Sequence, residues 1–165
     1  MHGKQSTLIR KANDLVNARY SFSIWETRVF LKLLTLIQPD DSDFQNYRFK
    51  VSDFIREFKI SNKDVYTELE KVTEGLLKKV IRLPWKKNGK DTVFKTTLVS
   101  SFEYFVDGSG YIEATFHPDL KPHLLQLKSQ YLSYDIRNVM LLSSAHSLRM
   151  YEILKQYETI GSRTV

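Results

Sequence analysis

The chain has 165 residues, 42% of them hydrophobic and 13% aromatic, which suits one folded globular domain and excludes an intrinsically disordered chain. Its net charge of +6 favours a polyanionic partner, because a basic surface gains free energy by releasing counterions from phosphates. The lack of cysteine excludes a disulfide framework, a thiolate metal site and a zinc finger; the opening Met1-His2-Gly3-Lys4-Gln5-Ser6 has no signal-peptide run, and no stretch nears the roughly 18 apolar residues of a membrane span, so the expectation is a soluble, cytoplasmic protein with no membrane partner.

Apolar residues Leu8, Ile9, Ala12, Leu15 and Val16 recur every three or four positions and predict a helix over residues 7–18. Ser23-Ile24-Trp25-Glu26 is a capping box, so a second helix follows to about Ile37, where Pro39 and a run of aspartates end it. Residues 47–51 alternate apolar and basic side chains and predict a short strand; Ser52 is placed to cap a short helix over residues 53–58. Ser61-Asn62-Lys63-Asp64 then starts a longer helix to about Lys79, with Val65, Leu69, Val72 and Leu76 inward. Lys63, Tyr66, Thr67, Glu70, Lys71, Glu74 and Lys78 are left on its outer faces.

Strand, short helix, turn and long helix make a helix-turn-helix pattern. Residues 80–83 are β-branched and alternating, Asn88-Gly89 is a hairpin signal, and residues 92–106 are rich in strand formers. Asp107-Gly108-Ser109-Gly110 turns the chain into a third strand over residues 111–116. An antiparallel meander directly after a helix-turn-helix is a wing, so the fold class is α+β, a winged helix with extra terminal helices. Helical segments are expected near 120–128, 135–140 and 144–157, with Gly161 as the stop of the last.

Lys78, Lys79, Arg82, Lys86, Lys87, Lys90 and Lys95 face one acid, Asp91, within a short stretch covering the end of the long helix and the first hairpin. That is where a wing meets phosphates, and Trp85 is placed to lie along a sugar face. The competing reading is a solvated hairpin whose lysines discourage edge-to-edge pairing. Lys63, Tyr66, Thr67 and Lys71 are candidate groove contacts on the long helix. Asp64, Glu68, Glu70 and Glu74 oppose them, which leaves an ordinary surface helix as the alternative.

The histidines, His2, His117, His123 and His146, form no metal-binding pair at helical spacing, and no Gly-x-x-x-x-Gly-Lys loop is present for a nucleotide. A nicking reaction needs a histidine pair beside a tyrosine, and Tyr104, Tyr111, Tyr131 and Tyr134 lack one. No metal, cofactor or catalysis is therefore expected.

Several runs carry a resemblance: residues 11–13 and 18–23, then Glu26-Thr27-Arg28; the middle segment 49–81; Tyr111-Ile112-Glu113 through Phe116-His117-Pro118-Asp119-Leu120; and above all Ser147-Leu148-Arg149-Met150-Tyr151-Glu152-Ile153-Leu154. In these the chain resembles the iteron-binding plasmid replication initiator proteins of the RepA and RepE type over nearly its whole length. The resemblance implies two winged-helix domains that recognise repeated origin sequences, the first also supplying a dimer interface that represses initiation. On that basis residues 1–161 are the first domain, and 162–165 open a linker or the second. The implied partners are double-stranded iteron DNA, a second copy of the chain as a homodimer, and host replication proteins. Arg149 resembles the family arginine of its motif and is equally suited to pair with Glu152 or a nearby carboxylate. The rival readings are a pure dimerisation module and a winged-helix transcriptional repressor.

Overall fold

The computed structural model describes residues 7–61, 64–127 and 131–164. It opens with a strand, β1 (Leu8–Ala12), and a four-residue helix, α1 (Asn13–Val16), in place of the single helix expected over 7–18. Ile9 and Lys11 both point inward along β1, at 0% and 1% exposure. A lysine at a core-facing position hides the period of two that would otherwise mark a strand. The partner strand lies far along the chain, at Tyr131–Asp135, with Ile9 opposite Tyr134 and Lys11 opposite Leu132. This strand displaces the helix expected near 135–140, of which only a 3-10 turn over Ile136–Asn138 remains.

α2 (Ile24–Leu36) starts on the predicted capping box: the Glu26 amide donates to Ser23 Oγ at 3.1 Å and the Ser23 amide donates to Glu26 Oε1 at 2.7 Å. Val29, Phe30, Leu31, Leu33 and Leu34 are all buried, so this helix is enclosed on most sides and forms the axis of the core. Even Lys32 is buried, its ammonium 2.7 Å from Glu57.

β2 (Tyr47–Lys50) leads straight into α3 (Val51–Glu57). Ser52 does not cap it; the helix begins two residues earlier than that cap allows, and the Val51 amide is satisfied by the Gly110 carbonyl at 2.9 Å. Lys59 adopts a left-handed φ of 51° and the Ile60 amide returns to the Ile55 carbonyl, which closes the helix and turns the chain toward α4 (Val65–Lys78). α2 packs against β1, β2 and α4.

β3 (Val80–Lys87) and β4 (Lys90–Thr97) form a hairpin about Asn88 and Gly89, whose φ values of 54° and 76° are those of a type I′ turn. The continuous strand expected over residues 92–106 divides at Leu98, which is fully buried and whose carbonyl accepts from the His117 amide at 3.0 Å. Beyond it β5 (Val99–Tyr104) and β6 (Tyr111–Phe116) belong to another sheet, of order β2-β6-β5. The expected three-stranded meander is thus two sheets, and the basic hairpin stands as a wing of its own beside the α3–α4 pair.

A 3-10 turn over Pro118–Leu120 and α5 (Lys121–Leu124) occupy part of the helix expected over 120–128, whose last residue lies outside those described. After β7 (Tyr131–Asp135) the chain ends in α6 (Ala145–Thr164), which continues through Gly161 rather than stopping there. No helix among the described residues is long and apolar enough to cross a membrane.

One buried polar knot joins the first strand to the last helix. Lys11 Nζ lies 2.6 Å from Glu152 Oε2, and the Tyr134 hydroxyl donates to the same oxygen at 2.6 Å. Burial works against the Lys11 charge, but Glu152 and the Tyr20 phenol together outweigh it and hold the ammonium pKa above its ordinary value. Burial and the neighbouring carboxylate together push the Tyr134 phenol well up, so it stays a donor. Glu152→Gln strands the ammonium without a counter-charge and is expected to cost about 3–5 kcal/mol in urea unfolding; Lys11→Met with Glu152→Gln recovers most of that loss.

Candidate nucleic-acid interface

Cross-strand partners in a hairpin share a face. Ile81 and Leu83 point into the body and are fully buried, so their neighbours Arg82, Pro84 and Lys86 point out, opposite Lys95, Val93 and Asp91 respectively. On the free side of β3 the chain near α1 adds a single bridge: the Arg19 amide donates to the Arg82 carbonyl at 3.0 Å and the Arg82 amide to the Arg19 carbonyl at 2.9 Å. Arg19, Arg82 and Lys95 therefore stand in a row across three adjacent backbones at the root of the wing. All three are exposed, and none takes part in an ion pair among the described residues.

Strands are about 4.8 Å apart, so the row spans about 10 Å. Like charges directly opposite one another repel, and an anion laid along the row relieves that repulsion. Nearer the tip, Lys86 reaches Asp91 at 3.8 Å, with both side chains exposed; such a pair contributes little and is readily exchanged for a phosphate. Lys87 and Lys90 face each other beside the Asn88-Gly89 turn, both exposed.

α4 presents a different surface. Thr67, Lys71, Glu74 and Lys78 share one exposed stripe, and Tyr66, 64% exposed, shares another with Glu70. Asp64, Glu68, Glu70 and Glu74 outnumber Lys71 and Lys78, so the described part of this helix is acidic. Lys63 lies outside the described residues. The inner side of the helix is tied to β5, where the Tyr104 hydroxyl meets Thr73 Oγ1 and donates to the Leu69 carbonyl at 3.3 Å.

Lys79 has a partner within the fold. Its ammonium is 2.5 Å from Glu26 Oε1, the same buried carboxylate that caps α2. One side chain thereby locks the start of α2, the end of α4 and the residue before the wing. Gly75 makes the approach possible, since a Cβ there would overlap Glu26 Oε2.

Residues 8–155 match the family described as Initiator Replication protein, WH1. The chain belongs to this family. A replication initiation protein of Escherichia coli is 27% identical over 153 residues, covering 89% of this chain and 46% of that protein. An uncharacterized 27.6 kDa protein of the same organism is 22% identical over 164 residues, covering 93% and 68%. The Pi initiator protein, solved in complex with iteron DNA, superposes with a TM-score of 0.71 at 16% identity over 93% of this chain and 65% of its own, which establishes a common winged-helix fold. The chain spans about half the length of the E. coli initiation protein.

Within this WH1 fold the structure gathers Arg82, Lys86, Lys87, Lys90 and Lys95 on one hairpin and sets Tyr66, Thr67, Lys71 and Lys78 on the adjoining helix. It gives Lys79 to Glu26 instead. Trp85 does not stand free: its ring lies 5.1 Å from His123 and 6.4 Å from Phe94, leaving 37% of the residue exposed. Arg149 does not pair with Glu152, which Lys11 occupies; it stacks on Tyr20 at 4.4 Å and donates to the Ala18 carbonyl. Arg19 is the cation that sequence reasoning missed. Its neighbour in space is 63 positions away along the chain (82 − 19), and no local pattern marks a one-residue bridge.

The Glu26 lock yields a test. Alanine in place of a helical glycine ordinarily gains about 1 kcal/mol. At Gly75 the added methyl displaces the carboxylate from Ser23 and Lys79, so Gly75→Ala is expected to lower stability by about 1 kcal/mol, read as an earlier urea midpoint.

Proposed function

We propose that this chain serves plasmid replication initiation as a non-catalytic module that holds duplex origin DNA, the wing gripping the phosphate backbone of the repeats. The observation that carries this reading is the row of Arg19, Arg82 and Lys95, three like charges set side by side on a WH1 fold with no counter-charge among the described residues. Lys86, Lys87 and Lys90 extend it toward the tip. Phosphate contacts position a protein without reading bases, and the acidic character of α4 limits its part to Tyr66, Thr67, Lys71 and Lys78 in a narrow orientation. Binding is thus dominated by charge.

The measurement is fluorescence anisotropy against a labelled duplex bearing the repeats of its own origin, and against a scrambled duplex, over a series of salt concentrations. Affinity is expected to fall steeply with salt, with a slope of about 0.9 per neutralised phosphate. Arg19→Ala, Arg82→Ala and Lys95→Ala together remove about 2–3 from that slope and weaken both duplexes alike. A wild-type slope near zero sinks the reading and leaves a dimerisation module in its place.

Self-association and contact with host replication proteins, in the cytoplasm, complete the proposal. Two features favour a protein partner: β2 and β5 are edge strands of their sheet, and Met150, Leu154 and Tyr157 are exposed at helical spacing along α6. No chemical step is assigned to the chain. Incubated with supercoiled origin DNA and a divalent metal, it is expected to leave the circles closed, and nicked product would overturn the non-catalytic reading.

A further inference from the structure

Away from the wing, a cavity of about 310 Å³ opens between β1, the segment Tyr20–Phe22, the first turns of α2 and the start of α6. Its volume is that of a small-molecule site. The floor is apolar, formed by Phe22, Leu31 and Leu148. Its charged wall holds three groups, and two of them cancel: Lys11 and Glu152 are buried and paired at 2.6 Å.

Arg149 is the third, and it is not neutralised. Its guanidinium lies over the Tyr20 ring, Nη2 donates to the Ala18 carbonyl, and Nη1 is buried without a hydrogen-bond partner. No carboxylate lies within ion-pair distance of it among the described residues. Nη1 is packed out of reach of the cavity, but the side chain is only partly buried, so the part of it that lines the cavity carries a permanent positive charge with no counter-ion among the described residues. The surroundings add to the same sign. Ala145 and His146, the first residues of the long helix α6, line the cavity, so the positive end of the helix dipole is at its rim.

We propose that this cavity binds a small molecule bearing an oxyanion, a carboxylate or a phosphate monoester, with Arg149 as the receptor of the charge and the Phe22, Leu31 and Leu148 floor holding a compact apolar body. A guanidinium already fixed by stacking and by one carbonyl presents its remaining N–H groups at little entropic cost, and planar oxyanions match that geometry better than a point cation would. The proposal does not depend on the DNA reading, since neither Arg82 nor Lys95 lines the cavity.

The test uses inorganic phosphate and benzoate as separate probes. Amide and Arg Nε–H NMR shifts are followed against chloride at matched ionic strength. A saturable response is expected at Ala18, Ser147 and Arg149 with at least one probe; phosphate alone responding assigns a phosphate ester, benzoate alone a carboxylate. Arg149→Lys is expected to weaken that probe at least tenfold, Ser21→Leu, which narrows the cavity and leaves Arg149 in place, to do the same, and Arg82→Ala on the wing to change nothing. If Arg149→Lys fails to fold, Ser21→Leu decides the matter. No saturable response to either probe, or a response unaltered by Ser21→Leu, overturns the proposal.

Discussion

The carboxylate of Glu26 is the constraint on which the candidate interface depends. It is buried at 4% exposure, accepts from the Ser23 amide and receives the Lys79 ammonium, and Gly75 clears the room it occupies. A charge withdrawn from water is tolerable only when fully partnered, and here both partners are positioned by secondary structure. Because Lys79 immediately precedes β3, the same contact orients the wing relative to the helix-turn-helix. The surface proposed to meet a duplex is set from inside the molecule.

A second buried pair has a similar logic at the opposite side. Lys11 and Glu152 connect the first strand to the last helix, with Tyr134 from β7 as a third member. Between them the two pairs fix both ends of the fold to α2: Lys11 Nζ also lies over the Phe30 ring, 4.7 Å from its centroid. Neither pair need contribute much net stability relative to an apolar substitute, but each admits only one arrangement of its elements.

The parts legible in the sequence were those encoded locally. The Ser23–Glu26 capping box, the Asn88-Gly89 turn and the inward stripe of α4 each depend on residues a few positions apart, and each stands where it was expected. The chain order of helix pair and basic hairpin, and the family resemblance read from it, held for the same reason. What failed was non-local. β1 carries an inward lysine whose counter-charge is 141 residues away (152 − 11), so its pattern imitated a helix. The division at Leu98 depends on its carbonyl accepting from the amide of His117, 19 positions along the chain (117 − 98) and just past β6. At the interface the charges of the hairpin were visible as a run, whereas Arg19 enters the row only through a bridge between distant segments, and Lys79 leaves the set through a contact with α2.

That bridge also decides where the hairpin is held. Two backbone hydrogen bonds from Arg19 clamp β3 at Arg82, and Trp85 rests on His123, while residues 86–91 are exposed throughout. Mechanically this is a cantilever, held to the body at its root and, over its last few residues, only by its own ladder. On the DNA reading proposed above, an end without contacts to the body would let its lysines follow a helical backbone whose groove width varies with base composition. The cost on that reading is discrimination: a tip that adjusts to every groove would distinguish few of them, and selectivity would fall to the rest of the molecule.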